Sequence, residues 1–201
     1  MAEPTITTTT RLEPLAPGQW SERTRNLLGG SVEPVARLED RKPRAGGGPL
    51  NILCTIAHHP SLLEPFLGFA ATLAARGVLP RRVSELLALR AAWNCRSAFE
   101  WGHHVIYARS AGLDEVAIAR VAVGPAADGW SPRERLLLEV ADELHAKQDV
   151  SDATWARLRG SCDDAQLVEI PFVVGIYTLL SMVARSTGVP LADDLPALPR
   201  A

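Results

Sequence analysis

The chain has 201 residues, a length for one domain, or one domain with an arm. At 47% hydrophobic and 22% charged it is neither disordered nor fibrous. A net charge of −2, from 21 basic and 23 acidic residues, excludes the basic stripe that nucleic-acid binding needs, and 5% aromatics exclude a base-stacking surface.

Three cysteines, Cys54, Cys95 and Cys162, are too few and too scattered for a disulfide scaffold or a zinc ribbon, and there is no C-x-x-C. Reduced thiols and a cytoplasmic location are the expectation. Met1 to Thr10 has neither the basic nor the apolar region of a signal peptide.

In chain order, residues 1–49 read as an arm with sparse apolar positions (Leu12, Leu15, Trp20, Leu27, Leu28), ending in a flexible Gly/Pro linker at 41–49. Residues 50–190 read as a helical body and 191–201 as a tail. Ser61 precedes Leu62, Leu63, Phe66, Leu67, Ala70 and Leu73 at helical spacing, and Gly77 closes that helix. Pro80 and Arg81 open the next helix, and Ala111-Gly112 end a third. Ser131-Pro132-x-Glu134 is a capping box with proline at the first helical position, starting a helix to about Lys147. Ser151 caps another, ending near Gly160. Asp163-x-x-Gln166 starts the apolar segment that Gly188 and Pro190 stop. Leu167–Ala184 is apolar enough to raise the question of a membrane, but Glu169 is expensive in lipid, so a buried core helix is expected. No strand pattern occurs. The expectation is an all-α protein of six or seven helices, with Cys54 and Cys162 in its core.

The chemistry concentrates between Arg81 and Gly112. Glu100 and His104 are four residues apart and share a helix face, with Ser97 on the same face. His103 is rotated about 100° away. A carboxylate beside an imidazole is a proton-transfer pair, and Ser97 can bind an oxyanion or position a water. The same residues have a plainer reading, in which Ser97-x-x-Glu100 is a capping box after a helix break at Trp93-Asn94-Cys95. Glu85 lies fifteen residues before Glu100, about 22 Å along one straight helix. It reaches the pair only if the chain turns near Asn94. Arg81, Arg82, Arg90 and Arg96 are candidates to hold an anionic substrate, with Arg96 nearest in sequence, and Cys95, His103 and Trp101 are further candidate substrate contacts. His58 and His59 precede Pro60 and read as helix-start packing. Glu100-x-x-x-His104 has metal-ligand spacing, but only two ligands share a face, so no metal is expected.

Arg82-x-x-Glu85-Leu86, Asn94-Cys95, Phe99-Glu100-Trp101, His104 and Ala111-Gly112-Leu113 together resemble the carboxymuconolactone decarboxylase family, which includes the alkylhydroperoxidase D-like proteins. Asn51-Ile52, Ala57-His58-His59-Pro60, Val150-Ser151-Asp152, Gln166-Leu167-x-Glu169 and Gly175-x-Tyr177 extend the resemblance over about residues 11 to 190. It implies paired helices assembling as a trimer or hexamer, with the site near subunit contacts. The peroxidase branch has an upstream Glu, a C-x-x-C and a His. On this chain these fall at Glu85, at Ser97 and Glu100, and at His104, so the redox thiols are missing. The resemblance therefore implies a cofactor-free lyase or isomerase of the non-redox branch, with Glu100 and His104 moving protons on a small conjugated acid, lactone or carbonyl compound and Glu85 orienting the histidine. A thiol peroxidase centred on Cys95, and a binding or assembly protein that has lost the chemistry, are the alternatives.

Overall fold

Ser21, Ser97, Asp114, Ser131, Ser151 and Asp163 each start a helix by accepting from an amide of its first turn. In the computed structural model, which describes residues 9–28 and 51–200, the helices are α1 (residues 22–28), α2 (Asn51–Ile56), α3 (Pro60–Arg76), α4 (Arg81–Asn94), α5 (Ala98–Ser110), α6 (Glu115–Val123), α7 (Pro132–Lys147), α8 (Asp152–Arg159) and α9 (Asp164–Thr187), preceded by a 3-10 turn at Pro17–Gln19. No strand occurs among the described residues, and the fold is all-α as expected. The linker expected at 41–49 lies outside the described residues.

The capping signals act as their sequences indicate. Ser131 Oγ accepts from Glu134 N while Glu134 Oε2 accepts from Ser131 N, completing the box that opens α7. Asp163 and Gln166 exchange the same pair of bonds at the head of α9. Ser151 caps α8, and Asp114 caps α6, a helix the sequence reading did not separate.

The chain divides into two compact units, Met1–Thr72 with Val183–Pro190, and Leu73–Met182 with Leu191–Ala201. The first unit buries Leu28, Cys54, Ala57 and Leu63 against Leu15, Trp20, Leu27 and Ile56. Its His58 and His59 are exposed, and His58 Nε2 lies 2.9 Å from the Glu13 carbonyl.

The second unit is organised on α4, which packs against α5, α6 and α7, while α7 packs against α8. One cluster joins Leu87, Leu137, Val140, Ala141 and Leu158 to Leu167, Ile170, Val173 and Val174 of α9, with Cys162 beside it. A second joins Leu86, Leu89, Trp101, Val105, Ile118, Val121 and Trp130, and Leu198 packs on it. By length and composition α9 could cross a membrane, but it spends Leu167, Ile170, Val173 and Val174 on the protein core. Its Glu169 carboxylate accepts from the amides of Val78 and Leu79, at 2.6 and 3.2 Å. Gly77 is what lets it approach: a Cβ there would stand 2.5 Å from the Leu73 carbonyl and 2.6 Å from Glu169 Oε1.

Candidate active site

The site depends on how α4 stops. Arg96 takes φ of 54°, in the left-handed region, and Ser97 N donates to Ala92 O while Arg96 N donates to Trp93 O, each at 2.9 Å. This is the Schellman pattern with arginine in the place glycine usually takes. Ser97 then serves α5 directly, its Oγ accepting from Glu100 N at 3.4 Å. One residue ends a helix and caps the next, so α4 and α5 fold side by side and Glu85 comes to the pair from which fifteen residues separate it.

The fold makes only half of the expected capping box. Ser97 caps, but the Glu100 side chain does not return to the Ser97 amide. It turns into the protein, where Oε2 lies 3.7 Å from His104 Nε2 and Oε1 has no hydrogen-bond partner. Burial pushes the Glu100 carboxyl up to about 7, against the pull of the neighbouring His104. The other face of the imidazole is fixed. His104 Nδ1 is 2.7 Å from Glu85 Oε2, and both residues are buried. A carboxylate can only accept, so Nδ1 carries a proton, and Nε2 is the nitrogen that faces Glu100. Arg81 closes the line from outside, 2.8 Å from Glu85 Oε1, with its guanidinium 5.8 Å from the centre of the Tyr107 ring.

Two tyrosines flank the imidazole. Tyr177 of α9 meets the His104 ring edge-on at 4.1 Å between centres, and Tyr107 does so at 5.4 Å. Burial raises the Tyr177 phenol well above its ordinary value, and the charges of Glu85 and Glu100 add to this, so it stays a hydrogen-bond donor at any physiological pH.

The remaining sequence candidates lie elsewhere. The Arg96 guanidinium covers the Trp93 ring at 4.2 Å. His103 Nδ1 lies 2.8 Å from the Phe99 carbonyl and its ring stacks on Phe99. Trp101 packs in the core beside Trp93. Cys95 Sγ is 3.8 Å from His145 Nδ1. Arg82 is spent on Glu134 and the Gly112 carbonyl, and Arg90 on Asp142. Of the four arginines, the one at the site is Arg81. The sequence offered all four, with Arg96 nearest, and Arg81 four residues before Glu85 on one helix as a partner for that carboxylate. Tyr177 carried no local signal. Among the described residues no three His, Cys, Asp or Glu side chains gather to hold a metal.

Residues 60–143, which carry Glu85, Ser97, Glu100 and His104, match the model of the carboxymuconolactone decarboxylase family. The helical body has an AhpD-like helical fold. Three solved structures show the breadth of this fold. An uncharacterised peroxidase-related protein with an alkylhydroperoxidase AhpD core, from Ralstonia eutropha JMP134, is 18% identical with a TM-score of 0.74, covering 96% of this chain and 95% of its own. The debrominase Bmp8 in complex with 2,3,4-tribromopyrrole is 14% identical with a TM-score of 0.74, over 92% and 93%. A protein of unknown function from Agrobacterium tumefaciens is 21% identical with a TM-score of 0.64, over 69% and 96%. No curated protein matches the chain.

Proposed function

We propose that this chain is a lyase or isomerase of the carboxymuconolactone decarboxylase superfamily that works without a cofactor, by general acid/base catalysis, on a small conjugated acid, lactone or carbonyl compound. One observation carries the reading: His104 stands between two buried carboxylates, with one nitrogen fixed by Glu85 and the other facing a Glu100 whose second oxygen is unsatisfied. A structural ion pair has no use for that spare oxygen, whereas a proton-transfer group does.

In a decarboxylation the bond to the carboxylate carbon breaks, CO₂ leaves, and the bonding pair moves into the conjugated system. Glu100, whose carboxyl burial raises to about 7, delivers its proton to the carbanionic carbon, and the carboxylate left behind regains a proton from solvent by way of His104 Nε2. Glu85 is a positioning residue that holds the imidazole tautomer, and Arg81 holds Glu85. The same pair serves an isomerisation, taking a proton from one carbon and returning it to another. A fold relative that holds a small brominated ring supports the choice of a small conjugated substrate.

Assembly belongs to this proposal. Val168, Phe172, Leu179 and Met182 are 51–61% exposed along one side of α9, an apolar stripe suited to a second copy of the chain in a cytoplasmic trimer or hexamer.

Turnover of conjugated acids and lactones by Glu100→Gln and His104→Ala tests the reading. The expected loss is about 10²- to 10⁴-fold with the oligomer intact. Wild-type rates in both variants would sink it. The contact between Cys95 Sγ and His145 favours one other reading, a thiol peroxidase, because an imidazole can take the thiol proton. Hydroperoxide consumption with a dithiol reductant, lost in Cys95→Ser, would support that reading. No consumption by the wild type removes it.

A further inference from the structure

Among the described residues, two buried side-chain polar atoms have no hydrogen-bond partner: Glu100 Oε1 and Ser181 Oγ. The first belongs to the acid/base site. The second lies on α9 and is fully buried. A hydroxyl inside a helix ordinarily falls back on the carbonyl four residues earlier. Thr55, Thr72, Ser110 and Thr187 all do so in this chain, at 2.7 to 3.3 Å. Ser181 does not. Its hydroxyl is buried, turned from its own helix and left unpaired, an arrangement that destabilises the fold unless something else pairs with it.

The position of Ser181 says what that is. It follows Tyr177 by four residues and so shares its face of α9. Tyr177 is the α9 residue that touches His104, and its phenol feels the charges of Glu85 and Glu100. One orphan atom thus lies on α5 and the other on the face of α9 that brings Tyr177 to His104. The Ser181 hydroxyl can donate, and so can Glu100 in the protonated form that burial favours, so one acceptor oxygen can satisfy both.

We propose that Ser181 is a substrate-positioning residue, whose hydroxyl donates to a carboxylate or carbonyl oxygen of the substrate opposite Glu100. The inference rests on the acid/base reading of the site, because it takes Glu100 as the group that acts on the bound molecule.

Crotonate, a small conjugated acid, and its neutral amide crotonamide are the probes, with Kd measured by calorimetry on the full chain. Ser181→Ala weakens crotonamide by about five- to tenfold, the worth of one neutral hydrogen bond, and crotonate by at least as much, while the melting temperature of the unliganded protein holds or rises because an unpaired buried hydroxyl is gone. Ser181→Thr, which keeps the hydroxyl, stays near the wild-type Kd. An unchanged Kd in Ser181→Ala, a fall in its melting temperature that accompanies the weaker binding, or a wild type that binds neither probe overturns the proposal. The acid/base reading fails separately, by full turnover in Glu100→Gln and His104→Ala.

Discussion

Helix α4 carries two buried charged residues one and a half turns apart, and the protein treats them in opposite ways. Arg90 is saturated. Its guanidinium makes a two-pronged contact with Asp142 at 2.6 and 2.8 Å and donates to the carbonyls of Val121 and Ala122, and Asn94 braces the same aspartate. Glu85 leads instead into an incomplete chain, where the last link from His104 to Glu100 is 3.7 Å and the terminal oxygen has no partner. The first cluster holds α4, α6 and α7 together and leaves nothing over for a ligand. The second leaves a proton position open. Burial of charge alone does not separate the two clusters; the completeness of the pairing does, and the proposed function rests on that difference.

Breaking the saturated cluster should cost most. Arg90→Ala is expected to lower unfolding free energy by about 3 kcal/mol, near the low end for a broken buried pair because Asp142 is partly exposed. Urea denaturation measures this, and a loss under 1 kcal/mol would reduce the cluster to surface decoration. The same cluster can be pushed from outside. Gly124 has φ of 94°, and a Cβ there would stand 2.5 Å from the Arg90 guanidinium, so Gly124→Ala should cost about 2 kcal/mol by strain and displacement together.

The unfinished cluster should respond with the opposite sign. Folding holds Glu100 near 7 rather than at its ordinary 4.5, so the folded state favours the protonated form. The native protein is therefore at its best, as far as this group is concerned, below about 4.5, and loses stability as pH rises toward 7. Glu100→Gln cannot ionise. Relative to wild type it should gain nothing near pH 4.5 and on the order of 2 kcal/mol at pH 8, since each tenfold rise in proton affinity on folding is worth about 1.4 kcal/mol and the buried amide keeps part of the cost. A wild-type advantage at pH 8 would refute the assignment of Glu100 as the strained member. The smallest effect is at the joint. Ser97→Ala removes the α5 cap and should cost about 1 kcal/mol.

What could be read from the sequence was whatever lay within a few residues. The spacing of Glu100 and His104 is one turn of helix, the break near Asn94 shows in its composition, and Ser131-Pro132-x-Glu134 states its own hydrogen bonds. Each of these is local geometry. The rest of the site is assembled by packing over long separations. Tyr177 reaches His104 from a different helix, and no pattern near residue 104 announces it. Arg96 could be recognised as a cation, but its left-handed backbone and its place on the Trp93 ring follow from how α4 ends. The choice between capping and chemistry for Glu100 was likewise undecidable from spacing, because both use the same residues. Only the orientation of one side chain separates them.

The bond from Glu169 to the amides before α4 has a consequence in time. It joins residues about 90 positions apart, and the helix it anchors also brings Tyr177 to His104. During synthesis, Glu85, Glu100 and His104 leave the ribosome well before α9 exists. A nascent chain shorter than 177 residues holds the two carboxylates and the imidazole without the wall that dries them. The surroundings of His104 are thus completed late, when the docking of one helix brings Tyr177 onto the imidazole.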